Sequence, residues 1–368
     1  MEASVSCRQR SSLQPTKQWA DPRVALHQVI QRLLLLGVRL ESFEPLPPPQ
    51  PPERLLPLVA AIEPEHRRFD QRAVLYGHRY RSGFWAIYLL SAIAVLCAVL
   101  PLALGWDSPQ HAFHPYAGVW AVSEVLVIGL VSTIYWLGHR RDWQGQWLGA
   151  RTTAELAWYL PMLAPLLDFS SPGAEANWYV RAFDPGQHLR TADDVSTLCA
   201  RIEPLARKIL ATAWSDCAFV TSYARWTLDI LEHQRRYHCR VAARQHALLH
   251  RVHSINGYLF GLTALGALLH LVVHTLWLSL VTTFFPALGA SLHGALAQSE
   301  AYRLGSTSEH LAKELRNSIG HIQTALAGMA SPADPVALKA SLEAALALIL
   351  EEHQDWHLLV RPHHLPLA

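Results

Sequence analysis

The chain has 368 residues, of which 51% are hydrophobic and only 16% are charged, and its mean hydropathy is +0.12. Soluble domains average about 25% charged residues, so this composition argues against a wholly soluble protein. A formal net charge of +2 supplies no general attraction for polyanions, which excludes nucleic acid as the default partner. The charge deficit is concentrated, since residues 82–106 and 252–299 contain no Asp, Glu, Lys or Arg.

The two charge-free stretches and a third apolar segment between them predict four membrane-spanning helices. A bilayer core requires about 20 apolar residues in a helix. The second charge-free stretch would extend roughly 72 Å as one helix, so it must fold back on itself. The predicted spans lie near 83–106, 118–138, 256–275 and 276–298. The fold class is therefore an all-α integral membrane protein, with two parallel helical hairpins and long cytoplasmic helical extensions.

The segments around the spans divide the chain further. The predicted regions are 1–62 (an amphipathic helix and a proline-rich linker), 63–168 (the first two-span module), 169–190 (a loop), 191–330 (stalk helices and the second two-span module) and 331–368 (a C-terminal amphipathic cytoplasmic helix). The absence of Gly and Pro from Leu205 to Asn256 predicts one continuous stalk helix. The helix that follows the second span is expected to stop at Pro161.

Lysine and arginine positions predict the orientation. Residues 1–82 hold twelve of them, 139–255 hold fourteen and 299–368 hold five, which accounts for all 31. None lies in a predicted span or in the short connections between paired spans. Because cytoplasmic segments retain basic residues, we expect both termini and the central segment in the cytoplasm, as in a multi-pass protein of a bacterial inner membrane.

The two halves of the chain share a layout, in which a basic helix leads into two spans and an acid-bearing helix follows. The segment WLGARTTAEL at 147–156 corresponds to RLGSTSEHL at 303–311. Each half begins and ends on the same side, so the repeat is parallel rather than inverted.

The first half carries a recognisable motif. HRYRSGFW at 78–85 precedes the first span, and the helix after the second span contains Trp147, Arg151, Ala154, Glu155 and Leu156. This combination resembles the SLATT superfamily of two-transmembrane effector domains, which accompany bacterial nucleotide-signalling and SLOG sensor systems. QRRYH at 234–238, PALGASLHG at 286–294 and DWHLLVRP at 355–362 resemble a degenerate second copy.

The resemblance implies an oligomeric, pore-forming or membrane-perturbing effector in an antiviral or suicide response. It also implies that Trp147, Arg151 and Glu155 make contacts between helices or subunits near the membrane. From the residues alone, Arg151 and Glu155 form an ordinary solvated pair at i,i+4. No SLOG, TIR or nucleotide-sensing domain is recognisable before residue 63, so a separate cytoplasmic sensor protein is the expected trigger.

The spans contain few polar residues. Glu124 is the only acid, and a charge inside a bilayer is a functional-site candidate because it is costly. We expect it to pair with His270, near which His274 lies one turn further out, or to face water. The alternative is a carboxylate that reaches the outer interface or bonds a neighbouring hydroxyl.

The fourth span combines a proline with small residues. Ala290 and Gly294 are four apart, which allows close helix approach, and Pro286 allows a kink that could gate a pore. The alternative is plain helix packing. His293 adds a polar group that we expect to face the helix bundle.

No catalytic or cofactor motif occurs, and we expect neither enzyme activity nor a cofactor. Histidines at 246, 250 and 253 share a helix face, and 353 and 357 repeat the spacing, but no completing ligand set makes a metal site. Besides the pore-forming homo-oligomer, the alternatives are a non-conducting scaffold that recruits a cytoplasmic partner to the membrane and a small-molecule transporter.

Overall fold

The computed structural model describes residues 25–40, 43–166, 192–210, 212–328 and 335–360. Across these ranges all regular structure is helical, with no strand, which confirms the all-α prediction. The helices are α1 (Leu26–Leu34), α2 (Leu56–Ala103), α3 (Ala117–Arg140), α4 (Trp143–Leu163), α5 (Ala192–Leu210), α6 (Cys217–His270), α7 (Trp277–Gln298), α8 (Ala301–Gly328) and α9 (Pro335–Val360). The predicted loop at 169–190 lies outside the described residues.

Helices α2 and α6 are much longer than a bilayer is thick. They contain 48 and 54 residues, or roughly 72 and 81 Å at the rise of an α-helix. Helix α6 begins where the Asp216 side chain accepts hydrogen bonds of 3.0 and 3.2 Å from two backbone N–H groups of the first turn. The expected continuous helix over 205–256 is therefore wrong at its start, because α5 ends at Leu210, before this cap.

Two other predicted ends differ from the observed ones. Helix α4 continues through Pro161 to Leu163. The proline removes a backbone hydrogen bond, but its buried neighbours hold the helix in place. Helix α6 ends at His270, five residues before the predicted boundary, and the chain turns over residues 271–276.

Four helical segments, Glu53–Ala103, His114–Arg140, Cys217–His270 and Trp277–Gly328, are long and apolar enough to cross a membrane. Their apolar parts lie side by side in a row, in which α3 packs on α2, α2 packs on α7 and α7 packs on α6. No packed interface joins α3 to α6 in the described part of the chain. The row is thus open, with α3 and α6 at its two edges.

The edge helices present apolar side chains that are exposed among the residues the structure describes. On α3, Val125 is 68% and Leu126 67% exposed, and on α6, Tyr258 and Phe260 are each 76% exposed. The inner helices α2 and α7 are covered on both sides by their neighbours in the row. Contiguous apolar surface of this kind is typical of a face that contacts lipid or protein.

Helices α4 and α8 return along α2 and α6, respectively, and create two hydrophobic cores. The span-proximal core lies beside the row and includes Phe84, Trp85, Leu148, Val252 and Leu296. The distal core joins the far ends of α2, α4, α5, α6, α8 and α9. Both cores combine residues from the two halves of the chain, so burial of apolar area couples the halves.

The turns that connect α3 to α4 and α7 to α8 have the same backbone form. Asp142 has φ 44° and Glu300 has φ 52°, so each adopts the left-handed conformation two residues after the preceding helix ends. The Asp142 side chain accepts a hydrogen bond of 3.1 Å from the Gly145 N–H, and Glu300 lies 3.8 Å from the Arg303 guanidinium. The fourth span therefore does not continue as one helix, because Glu300 breaks it.

The N-terminal segment lies against both halves. The His27 ring lies 3.2 Å from the Ser82 hydroxyl on α2, and the Gln31 side-chain oxygen accepts a hydrogen bond of 2.6 Å from Arg244 on α6. Further along, the Glu44 carbonyl oxygen accepts a hydrogen bond of 2.8 Å from Arg236. The proline-rich stretch predicted as a linker is thus packed onto the folded body, with Pro49 next to α2, α4 and α6.

Candidate functional site

Trp147 is an aromatic wedge between α4 and α2. The turn at Asp142 directs α4 back along α2, so the fifth residue after that turn faces the longer helix. The Trp147 ring is stacked on Tyr80, with centroids 5.6 Å apart and planes 24° apart. A Cβ placed on Gly77 would lie 2.9 Å from the Trp147 ring nitrogen, so only glycine fits beneath the indole.

The same junction reaches a third helix. The Arg81 guanidinium lies over the Trp147 ring, 4.8 Å from its centroid. The Gln298 amide at the end of α7 donates a hydrogen bond of 2.9 Å to the Tyr80 hydroxyl. We call these residues the tryptophan junction: Gly77, Tyr80, Arg81, Trp147 and Gln298. The junction ties α2, α4 and α7 together beside the row of apolar helices.

Arg151 connects α4 to α2 one turn beyond the junction. It forms an ion pair with Glu155 on its own helix and lies 3.9 Å from the Asp70 carboxylate on α2. Burial by itself would lower the pKa of Arg151, but the carboxylates of Glu155 and Asp70 outweigh it and raise that pKa. The pair is therefore part of a contact between helices rather than an isolated solvated pair.

His238 on α6 is a buried polar group that sequence reasoning did not select. Its Nδ1 lies 3.4 Å from the Ser308 hydroxyl on α8. Burial lowers the pKa of His238 from 6.5 to about 4, and the Glu155 carboxylate opposes that shift only in part. His238 is consequently neutral at pH 7. The preceding residue of the motif QRRYH, Tyr237, is by contrast 47% exposed.

The second half repeats the wedge with the partners exchanged. A Cβ on Gly305 of α8 would lie 3.0 Å from the His246 ring on α6, so here the return helix carries the glycine. Matching Asp142 with Glu300 pairs buried positions of α4 with buried positions of α8: Trp147 with Gly305, Ala150 with Ser308, Thr153 with Leu311, Ala154 with Ala312. The segment match inferred from sequence, Trp147 with Arg303, is therefore out by two residues.

The structure does not bring Glu124 and His270 together. Glu124 is half-buried on α3, on the helix side that includes Trp120, Val127 and Val131, and Val131 joins the span-proximal core. Within the described part of the chain Glu124 has neither an ion pair nor a hydrogen bond. His270 is at the exposed end of α6, where its ring is 6.1 Å from that of His274.

The small-residue stretch of α7 contains one close contact. A Cβ on Gly294 would lie 2.5 Å from the Tyr88 ring on α2, so this glycine sets how closely α7 approaches α2. Pro286 and Ala290, which precede Gly294 by eight and four residues, are exposed. His293 is exposed too, with its ring 6.3 Å from that of His253 on α6. Gly294 therefore serves packing in the single chain, and Pro286 remains a candidate gating residue.

Among the described residues no group of three or more His, Cys, Asp or Glu side chains converges in a way that could hold a metal ion. The side chains at 353 and 357 lie outside that description. The tryptophan junction and the neighbouring Arg151 supply aromatic stacking, paired carboxylates and arginine side chains. These groups can hold helices together and attract anions.

Several residues of this region were given no role from sequence, among them Gly77, Tyr237, His238 and Arg244. The segment from Gly77 to Arg81, GHRYR, carried a signal, because a glycine three residues before a tyrosine places both on one helix face. The sequence around Tyr237 and Arg244 gave no signal for these roles, because the roles depend on where α6 lies relative to α4 and α1.

Comparison with family models, with curated proteins and with solved structures gives no match to this chain.

Proposed function

We propose that this chain is a multi-pass protein of a bacterial inner membrane that acts as an oligomeric pore-forming or membrane-perturbing effector. Its four spans form two hairpins that enter and leave from the cytoplasm. The distribution of Lys and Arg supports this orientation, because all 31 lie outside the spans and outside the short connections within each hairpin. The resemblance to SLATT domains supports a role in defence or nucleotide signalling.

The observation that carries the proposal is the open row of apolar helices. The described part of one chain encloses no passage, because α3 and α6 are at opposite ends of the row and share no packed interface there. Their apolar edges are uncovered, so copies can associate edge to edge and close a ring. A conducting state therefore requires several copies.

The long helices connect the row to the rest of the molecule. Helices α2 and α6 run without interruption from the distal core into their apolar segments. A change in packing at the distal core would therefore tilt or shift the spans as rigid bodies. A separate cytoplasmic sensor protein acting on this body is the proposed trigger.

A non-conducting scaffold is the second candidate, and α1 is the observation that favours it. Leu26, Val29 and Leu33 form an exposed apolar face on α1, and Leu36 is exposed just beyond its end, outside the row of spans. Such a face fits a protein partner held at the membrane surface. The scaffold would keep the same topology and would not change ion permeability.

Induced expression with a membrane-potential dye distinguishes the two candidates. The proposal predicts depolarisation by the wild-type chain and a severalfold smaller response from Val125→Trp, which enlarges an exposed side chain on edge helix α3. Leu102→Trp is the matched control, since Leu102 is 52% exposed on α2, an inner helix of the row. A normal potential at equal membrane expression would reject conduction and favour the scaffold.

A further inference from the structure

Three arginines from three helices lie beside the tryptophan junction. Arg81 of α2 lies over Trp147, Arg151 is one turn beyond Trp147 on α4, and Arg244 of α6 bonds Gln31 of α1, the helix whose His27 contacts Ser82 next to Arg81. The Tyr237 phenol lies within electrostatic range of all three guanidiniums. Arg81 is also within range of both other guanidiniums. We call these four residues the arginine crevice. Two members belong to the first half of the chain and two to the second.

The positive charge of the crevice is only partly compensated. Arg151 has carboxylate partners in Glu155 and Asp70. Arg244 donates its hydrogen bond to the neutral amide oxygen of Gln31, and Arg81 is stacked on an indole. Neither Arg81 nor Arg244 has a carboxylate partner among the described residues. The Arg81 and Arg244 guanidiniums therefore repel each other and that of Arg151, and no described carboxylate offsets the charge of either.

Burial and nearby charge make this arrangement costly for Arg244. Removal from water lowers the pKa of its guanidinium, and the neighbouring Arg32 lowers it further. Like charges held close in a partly desolvated site are destabilising unless an anion binds between them. The fold nevertheless holds these groups in place through Gln31 and the tryptophan junction.

The crevice is open to solvent and its donors are oriented. The Arg151 side chain is 38% exposed and Tyr237 is 47% exposed, so a ligand can reach the centre. The Trp147 ring holds the Arg81 guanidinium 4.8 Å above its centroid, and the planar guanidinium has donors left for hydrogen bonds to a ligand. Planar donor pairs of this kind match the oxygens of a phosphate group.

We propose that the arginine crevice binds a phosphate-bearing anion that bridges the two halves of the chain. Arg81 and Arg151 contact it from the first half, and Tyr237 and Arg244 contact it from the second. Arg81 lies two residues before the predicted first span, so the phosphate can belong either to a lipid headgroup or to a soluble compound. This site does not depend on conduction, because a scaffold would bind the same anion.

Titration of the purified full chain in an uncharged detergent tests the proposal. Inorganic pyrophosphate is added at constant ionic strength, and the thermal midpoint and calorimetric binding are recorded. A parallel arm compares nanodiscs of phosphatidylcholine with nanodiscs that also contain phosphatidylglycerol. Arg244→Gln should raise the Kd by about tenfold or more, since a hydrogen bond to a charged group is worth about 1.5–3 kcal/mol.

Arg240→Gln is the matched control, because Arg240 is exposed on α6 one turn from Arg244 and bonds only a backbone carbonyl. Saturable pyrophosphate binding that Arg244→Gln loses and Arg240→Gln retains supports a soluble phosphate. Stabilisation by phosphatidylglycerol alone, with the same dependence on these variants, supports a headgroup. If Arg244→Gln does not fold, Arg81→Lys takes its place, since it retains the charge but loses the stacked plane.

Two results overturn the proposal. One is the absence of a saturable response to either probe. The other is an equal loss in Arg240→Gln and Arg244→Gln, which would mean that general surface charge explains the binding.

Discussion

In the first half of the chain, Gly77 on the long helix receives Trp147 from the return helix, whereas in the second half Gly305 on the return helix receives His246 from the long helix. The two contacts occupy the same place, five residues after a left-handed turn. Each half thus places one small and one large side chain at equivalent positions, with the two helices exchanging which one they supply. Total volume at a packed contact matters more than which helix supplies it.

The halves also differ in how much the wedge buries. Trp147 is 6% exposed and belongs to the span-proximal core, while the His246 side chain is 48% exposed and lies 3.9 Å from Glu309. The first contact therefore stabilises the fold, and the second mainly permits close approach of two helices. The row extends this asymmetry, because α2 is an inner helix and α6 is an edge.

Replacing the wedge should have the largest effect. Trp147→Ala removes a buried indole, for which the usual cost is about 3–5 kcal/mol of unfolding free energy. His246→Ala in the second half should cost about 1 kcal/mol or less, because its ring is half in solvent. Thermal unfolding in mild detergent measures both. Equal losses in the two variants would contradict the asymmetry between the halves.

Acid should destabilise the second half through His238. The pKa of His238 is about 4 in the folded chain and 6.5 ordinarily. Between pH 6.5 and 4 the unfolded chain therefore binds a proton at His238 that the folded chain does not bind. Stability is therefore full above pH 6.5 and falls by up to ~3 kcal/mol as the pH decreases towards 4. The thermal midpoint should fall less steeply with pH in His238→Gln than in the wild type.

A second buried histidine, His27, has a pKa of about 3 and contributes acid sensitivity that His238→Gln leaves in place. The comparison is therefore one of slopes between pH 6.5 and 4. Identical slopes for the variant and the wild type would show that His238 titrates normally.

The contact between the halves within the row should have an intermediate effect. Gly294→Val places carbon atoms against the Tyr88 ring and should cost about 1–3 kcal/mol, as overpacking does. Tyr88→Ala should relieve part of that cost in the double variant, as a double-mutant cycle would show. Ala290→Val is the control, because Ala290 is exposed on the same helix. A loss from Ala290→Val as large as that from Gly294→Val would refute the packing role.

The smallest effect on stability should come from Glu124→Gln. The carboxylate has no partner in the described chain, so its replacement should change the unfolding free energy by less than about 0.5 kcal/mol. Potassium leakage from liposomes should nonetheless fall severalfold if the assembled protein conducts past this acid. Leakage equal to that of the wild type would remove Glu124 from the conducting path.

Much of the architecture could be predicted from charge alone, because uncharged stretches of membrane length leave few alternatives to apolar helices. The order of the helices in the row could not, since α3 and α7 are apolar around most of their circumference. The packing position of α1 could not be predicted from the sequence either. Its polar residues His27 and Gln31 face the protein beside Ile30 and Leu34, whereas Leu26 and Leu33 are exposed, so its apolar residues lie on both sides of the helix.

The residues of the candidate site also fall into two groups, those that a sequence motif indicated and those that it did not. Trp147, Arg151 and Glu155 stood out through a motif, and the structure places Trp147 and Arg151 in contacts with α2, with Glu155 paired to Arg151. Gly77 and Tyr237 did not, because a glycine or an exposed tyrosine acquires meaning only from the helix opposite. The helix break before Asp216 was missed because Asp is a weak signal within a run of good helix formers.

The central claim is that one chain forms an open row and that several copies are needed to form a passage. Leakage from liposomes reconstituted over a range of protein-to-lipid ratios tests it most directly. The account predicts no leakage at an average of one copy per vesicle and a more than proportional rise as copies accumulate. Leakage already complete in vesicles with a single copy, or none at any ratio with folded protein, would contradict it.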